Sequence, residues 1–292
     1  MSAGPAASAR PERSVTFTDL AAKKERREPN VMVTAYDHPS AQIADAAGVD
    51  IALVGDSAAM TVLGYDSTVP VTVDEMLMLA SAVRRGLSRA LLVADLPFGS
   101  YEASDEQAVA TAQRFVKEAG ADAVKVERGG TTVARARAIV AAGIPVMGHV
   151  GLTPQTAVAL GGYRSQGRTA DEALEVCRSA LDLQEAGCFS IVFEAIPSDV
   201  TEAVMPRMHV PVIGIGAGPA TDGQVLVFHD LLGIREGLGA RFVKRYANLQ
   251  DEMNAGISAF AEDVRSRRYP APEHDYSIDP GELERFRTAR AG

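Results

Sequence analysis

One pattern recurs along this chain: a helical stretch, a glycine, a short apolar run and then a polar or ionisable residue. It reads AAG-VDIALVG-D ending at Asp56, EAG-ADAVKV-E ending at Glu127, AAG-IPVMG-H ending at His149 and EAG-CFSIVF-E ending at Glu194. RRG-LSRALLVA-D, ending at Asp95, is a looser copy. The glycines of these copies, Gly48, Gly86, Gly120, Gly143 and Gly187, suit the left-handed position just past a helix C-terminus. Each apolar run suits a strand buried on both faces. VMVTAY (31 to 36), PVIGIG (211 to 216) and VLVFHD (225 to 230) bring the candidate strands to eight. Thr72 with Glu75, and Ser104 with Gln107, have capping-box spacing, and Ala108, Ala112, Phe115, Val116 and Ala119 fall on one helical stripe. Strand-helix alternation predicts a parallel sheet, and eight such units predict a closed (β/α)8 TIM barrel rather than an open doubly wound sheet.

The length of 292 residues agrees, since one such barrel takes about 250 residues. The expected organisation is a weakly ordered arm over residues 1–13, the barrel over 14–268 and a Pro- and charge-rich tail over 269–292. A hydrophobic fraction of 47% against 23% charged residues is the balance of a globular chain, not of a disordered one. A net charge of -9 argues against nucleic acid or an anionic membrane as a partner, because the averaged surface repels both. Two cysteines, Cys177 and Cys188, do not make a disulfide framework, which points to a reducing compartment. No run approaches the roughly 20 apolar residues of a membrane span, and the opening MSAGPAASARPERSV has no apolar signal core. A cytoplasmic protein is the expectation.

Strand C-termini of a parallel barrel all point to one mouth, where active sites of this fold sit. Asp56, Asp95, Lys125, Glu127, His149 and Glu194 are therefore expected to converge. Three carboxylates gathered there, from Asp56, Asp95 and Glu127, repel one another unless protonated or neutralised, and a hard divalent cation such as Mg²⁺ is the usual remedy. No Cys/His spacing for zinc occurs. Strand-end acids can also simply cap the next helix. Lys125 and Glu127 share a strand face, so the lysine either holds a substrate carboxylate or pairs with the glutamate. Glu194 ends the apolar strand SIVFE, a setting for a general base. His149 is either a hydrogen-bonded core group or a catalytic one. The run GIGAGPATDG (214 to 223) is a phosphate cradle or a tight turn, and GGYRSQGR (161 to 168) is a mobile lid or a surface loop.

The strings LVGDSAAMTVLGYDSTVPVTVDEM, ADLPFGSYE, VKVE, GHVGLTPQ, GGYRSQGR and VIGIGAGPATDGQVLVFHD resemble the ketopantoate hydroxymethyltransferase (3-methyl-2-oxobutanoate hydroxymethyltransferase) family, collinearly from about Val31 to Glu273. The resemblance implies a (β/α)8 barrel assembled as a homodecamer. It implies transfer of a one-carbon unit from 5,10-methylenetetrahydrofolate to 3-methyl-2-oxobutanoate, giving 2-dehydropantoate in pantothenate biosynthesis. By motif match it makes Asp56 and Asp95 ligands of Mg²⁺ with Glu127 completing the metal site, and it has Asp56, Ser57, Asp95 and Lys125 contact the 2-oxo acid. It makes Glu194 the proton acceptor for a metal-stabilised enolate and puts His149 nearby. This sequence departs from the family pattern at Arg128, at Thr156, Ala157 and Val158, and at Ser165, all in loops expected near the mouth. Those departures bear on the identity of the 2-oxo acid and on the folate contacts. The competing readings are a paralogue with another 2-oxo acid, an Mg-dependent lyase or mutase of the phosphoenolpyruvate mutase and isocitrate lyase group, and a non-catalytic barrel. No cysteine stands at a strand-end loop as in those lyases, and an idle barrel needs none of Asp56, Asp95, Lys125, Glu127 and Glu194.

Overall fold

The structure is a computed structural model, and it describes residues 13–235 and 239–290. Residues 1–12 of the expected N-terminal arm lie outside the described residues. In chain order the elements are α1 (Phe17–Arg26), β1 (Asn30–Thr34), α2 (His38–Ala46), β2 (Ile51–Val54), α3 (Ala58–Thr61), α4 (Val73–Gly86), β3 (Leu91–Asp95), α5 (Asp105–Ala119), β4 (Ala123–Glu127) and α6 (Thr131–Ala141). They continue with β5 (Val146–Gly151), α7 (Ala170–Glu185), β6 (Ser190–Glu194), α8 (Ser198–Val204), β7 (Val212–Ile215), β8 (Gly223–Leu226) and α9 (Phe228–Leu232). The unit from Ala247 onward carries α10 (Leu249–Arg265) and α11 (Pro280–Arg290).

The strands run in sequence order β1 to β8, all parallel, and β8 pairs with β1 to close the barrel. Alternate residues along each strand face opposite sides. One set, Met32, Ile51, Leu53, Leu91, Val93, Ala123, Met147, Val192, Ile213 and Val225, fills the barrel interior as one apolar cluster. The other set, including Ala52, Val54, Leu92, Ala94, Val124, Val126, Ile191 and Phe193, packs with the buried faces of the helices. The inward series of β3, β4, β5 and β6 ends in Asp95, Lys125 with Glu127, His149 and Glu194, so the same period that fills the barrel with carbon crowns it with charge.

The local signals mostly act as expected. Thr72 and Glu75 form a reciprocal capping box at the start of α4. Ser104 Oγ accepts from the Gln107 amide, but Gln107 Oε1 accepts from Ala103 rather than Ser104, which is half a box. Gly48, Gly120, Gly143 and Gly187 take positive φ of 79°, 68°, 86° and 97° after their helices. Gly86 does not. It is the last residue of α4, and a Cβ there would lie 2.6 Å from the His38 carbonyl oxygen and 2.7 Å from the Ala41 Cβ, so its role is close approach of α4 to α2.

Strand lengths are the other correction. The first strand is Asn30–Thr34, the seventh Val212–Ile215 and the eighth Gly223–Leu226, two residues earlier than VLVFHD suggests. Phe228 opens α9 instead, its amide held by Thr34 Oγ1 at 2.9 Å. A Cβ at Gly223 would run into the Asn30 carbonyl oxygen, so glycine is what lets β8 begin against β1 and complete the closure.

Candidate active site

A cavity of about 430 Å³ opens at the C-terminal ends of the strands, and all seven predicted site residues, Asp56, Ser57, Asp95, Lys125, Glu127, His149 and Glu194, line it. The strand register does the gathering: Asp95 is paired with Lys125, Glu127 with His149, and Gly151 with Glu194. Asp56 sits two residues beyond β2, where its amide donates to Asp95 Oδ2 at 3.0 Å. Asp56, Asp95, Lys125, Glu127 and His149 are buried, whereas Glu194 is partly exposed at the rim.

The electrostatics of this cluster are lopsided. Lys125 Nζ lies 3.0 Å from Asp95 Oδ1 and 3.7 Å from Glu127 Oε1. Burial alone would lower the lysine pKa, but Asp95, Glu127 and Asp56 outweigh it and hold the ammonium charged. The Asp56 carboxyl goes the other way: burial first, then Glu127 and Asp95, push it well above the ordinary carboxylate range. Burial also raises Asp95, with Lys125 opposing. Glu127 is held below the usual range, because the His149 hydrogen bond and charge, helped by Lys125, overcome its burial.

His149 stands between two glutamates, its Nδ1 3.1 Å from Glu127 Oε1 and its Nε2 3.1 Å from Glu194 Oε2. Burial and Lys125 depress its pKa, yet the two carboxylates raise it to about 9. The ring is therefore both a hydrogen-bonded interior group and part of the cavity wall.

Two residues that the sequence reading passed over tie the acids together. Gln155 Nε2 donates to Asp56 Oδ2 at 3.0 Å and to the Leu96 carbonyl at 2.9 Å, while its amide donates to Glu127 Oε2 at 3.1 Å. Tyr101 donates its hydroxyl proton to Gln155 Oε1 at 2.7 Å and accepts the Glu127 amide at 3.2 Å. Both lie inside the quoted strings ADLPFGSYE and GHVGLTPQ, but neither is ionisable at neutral pH, so a search for acids and bases does not find them. Ser57 Oγ is 2.8 Å from the Tyr36 hydroxyl, whose pKa burial pushes up to about 12.

The fit to a divalent ion can be judged from the donors. No trio of His, Cys, Asp or Glu among the described residues converges tightly enough to hold a metal by itself. Both Glu127 oxygens already accept hydrogen bonds, from His149 and Gln155. Asp56 and Asp95 are hard oxygen donors whose carboxyls are raised by burial and by Glu127, with Lys125 offsetting part of the rise. Two such carboxylates suit Mg²⁺, which takes one or two and leaves its remaining positions to water and ligand oxygens.

Other expectations fall away from the acids. Gly216 and Gly218 have φ of 67° and 80° and press against Phe242 and Ser198, so GIGAGPATDG is a tight packed turn. In GGYRSQGR, Tyr163 reaches the acid cavity and Arg164 does not. Arg128, at φ 76°, is exposed and lines a separate cavity with Gly129 and Ser179. Val158 is exposed, and Ser165 lines a third cavity. Cys188 is buried in the cluster between the strands and the helices, its thiol pushed up to about 12 by burial, and Cys177 is also a free thiol.

With this geometry in place, comparison with known proteins gives a consistent result. Residues 14–272 match the family model for ketopantoate hydroxymethyltransferase. A protein of Thermobifida fusca named 3-methyl-2-oxobutanoate hydroxymethyltransferase is 52% identical over 265 residues, 91% of this chain and 94% of that one. Its namesake in Moorella thermoacetica is 53% identical over 262 residues, 90% of this chain and 97% of that one. An Arabidopsis thaliana relative, named as the mitochondrial enzyme 1, is 50% identical over 285 residues, 95% of this chain and 82% of that one. Among solved structures, phosphonopyruvate hydrolase in complex with oxalate and Mg²⁺ superimposes with a TM-score of 0.59 at 15% identity, covering 95% of this chain and 97% of that one. For 2,3-dimethylmalate lyase the TM-score is 0.53 at 17% identity, with 94% and 99% covered. Those two share the barrel. The sequence matches carry further, and by them the chain belongs to the ketopantoate hydroxymethyltransferase family.

Proposed function

We propose that this protein transfers a hydroxymethyl group from 5,10-methylenetetrahydrofolate to 3-methyl-2-oxobutanoate, giving 2-dehydropantoate, with one water consumed and tetrahydrofolate released. The observation that carries the mechanism is the pairing in one cavity of two buried acids whose carboxyls burial raises, Asp56 and Asp95, with a partly exposed glutamate, Glu194, 3.1 Å from His149.

Asp56 and Asp95 would hold Mg²⁺, which when bound supplies a Lewis acid for the 2-oxo acid's carbonyl and so acidifies the C3 proton. Glu127, whose oxygens accept hydrogen bonds from His149 and Gln155, would complete the metal site beside the two aspartates. Lys125 places its ammonium beside Asp95, where it attracts the substrate carboxylate. Ser57 Oγ, hydrogen-bonded to Tyr36, offers a polar contact in the same wall. Glu194 takes the proton from C3, with His149 Nε2 3.1 Å from its Oε2. Water cleaves the two C–N bonds of the methylene bridge, leaving tetrahydrofolate and the one-carbon unit at the aldehyde level; the C3 carbanion bonds to that carbon, and the alkoxide so formed takes back the proton that Glu194 removed.

The low identity of the mutase and lyase structures leaves that second reading with the barrel alone in its favour. The homodecamer and a cytoplasmic location belong to the same proposal. Exposed apolar residues at Met253, Ile257, Phe260 and Val264 on α10 support an oligomer, and two free thiols support a reducing compartment. No helix among the described residues is long and apolar enough to cross a membrane.

Solvent deuterium exchange at C3 of 3-methyl-2-oxobutanoate, with and without Mg²⁺, tests the reaction. Metal-dependent exchange is expected. Absence of exchange with any branched 2-oxo acid overturns the reading.

A further inference from the structure

The acid cavity has a neighbour at the barrel mouth. A second cavity of about 890 Å³ shares Tyr163, Glu194, Ala240 and Phe242 with its wall. Leu152, Ile196 and the rings of Tyr163 and Phe242 make it largely apolar, and Arg164 and Arg241 give it two guanidinium groups. Glu194 is the only carboxylate in that wall among the described residues, and it stands on the boundary between the two cavities. The cavity beside α6 differs on each count: it shares no wall residue with the acid cavity, and it carries Glu172 and Glu175.

We propose that the larger cavity receives the reduced folate, with its rings against Tyr163 and Phe242 and its glutamyl carboxylates on Arg164 and Arg241. This rests on the function proposed above and adds the binding site for its second substrate. Reach is the first argument. The methylene carbon must touch the carbon that Glu194 deprotonates, so the folate has to arrive through a space that opens beside Glu194. Size is the second, because ligand cavities run from about 300 to about 1,000 Å³ and this one falls within that range.

Chemistry is the third argument. A reduced folate is a flat heterocycle joined to an aminobenzoyl ring and ending in carboxylates. Aromatic rings bind such faces by offset stacking, and a planar guanidinium pairs with a carboxylate through two parallel hydrogen bonds. The walls are also held in place. Gly216, at φ 67°, lets the turn after β7 press against the Phe242 ring, and Arg164 Nε donates to the Leu160 carbonyl at 3.0 Å, which orients its guanidinium. Ser165, one of the departures from the family pattern, lies in this wall and not in that of the acid cavity.

The test is equilibrium binding of tetrahydrofolate and of tetrahydropteroate, which lacks the glutamyl tail, to the full-length protein and to Arg164→Gln, Arg241→Gln and Phe242→Leu. Each arginine substitution is expected to weaken tetrahydrofolate binding about tenfold while tetrahydropteroate changes less than about twofold, the loss of one charge-assisted contact. Phe242→Leu is expected to weaken both ligands. Equal losses for the two ligands in the arginine variants, or no loss for either, overturn the assignment. C3 exchange by the wild-type protein separates the two levels: exchange with folate binding indifferent to all three substitutions removes this cavity and leaves the reaction, whereas no exchange removes the reaction itself.

Discussion

Both ring nitrogens of His149 face carboxylate oxygens at 3.1 Å, and a neutral imidazole has only one N–H to give. The imidazolium is attracted by both carboxylates, through the Nδ1 hydrogen bond to Glu127 and the charge of Glu194 beside Nε2, which is why its pKa stands near 9 in spite of burial and the adjacent ammonium. Since this folded value lies above the unfolded 6.5, the charged ring contributes stability that is fully present below 6.5 and is lost as pH rises through about 9. An NMR titration of the His149 ring protons in metal-free protein is expected to give a midpoint near 9, and a midpoint at or below 6.5 contradicts a ring held charged between two carboxylates. Glu194→Gln is expected to abolish C3 exchange and leave Mg²⁺ affinity nearly intact, since Glu194 binds His149 and none of the metal-site acids. Calorimetric titration beside the exchange assay checks this, and equal loss of both would mean that Glu194 serves the metal site. Asp95, Lys125, Glu127, His149 and Glu194 were legible because charge at the end of an apolar strand is conspicuous. Gln155 and Tyr101 were not, because their contribution is hydrogen-bond geometry supplied by loops and only coordinates reveal it.

At the scale of elements, the glycine repeat announced where each helix stops, and four of the five glycines stop it in the left-handed way. Gly86 looks the same in sequence but serves packing, because α2 crosses where its side chain would be. Gly86→Ala is therefore expected to destabilise the protein by about 1–3 kcal/mol, the usual cost of overpacking, which exceeds the gain of up to about 1 kcal/mol from better helix propensity. Denaturant unfolding measures it, and a stabilised variant would show that α2 and α4 separate without cost. The end of β8 was misplaced for a comparable reason. VLVFHD has the composition of a strand, but Thr34 captures the Phe228 amide from β1, a contact between residues too far apart in sequence for any local pattern to record.

The whole molecule carries a functional liability in its acids. Asp56 has its carboxyl raised by burial and by Glu127 and Asp95, so it is stabilising while protonated and increasingly costly as pH rises through its folded value. Asp56→Asn removes that cost and keeps an acceptor for Gln155. Without added metal the variant is expected to melt on the order of 2–4 °C higher, the effect of about 1 kcal/mol in a domain of roughly this size. Added Mg²⁺ is expected to raise the melting temperature of the natural protein but not of the variant, because a ligand stabilises only the state that binds it. Calorimetry at neutral pH decides both, and a lower metal-free melting temperature for Asp56→Asn would show that the acid is already neutralised from within. The pairing of β8 with β1 has a different consequence. A sheet without ends offers no row of unsatisfied amides and carbonyls on which a foreign strand could lie, so this core resists edge-to-edge aggregation, and recognition of other proteins falls to its helices and loops.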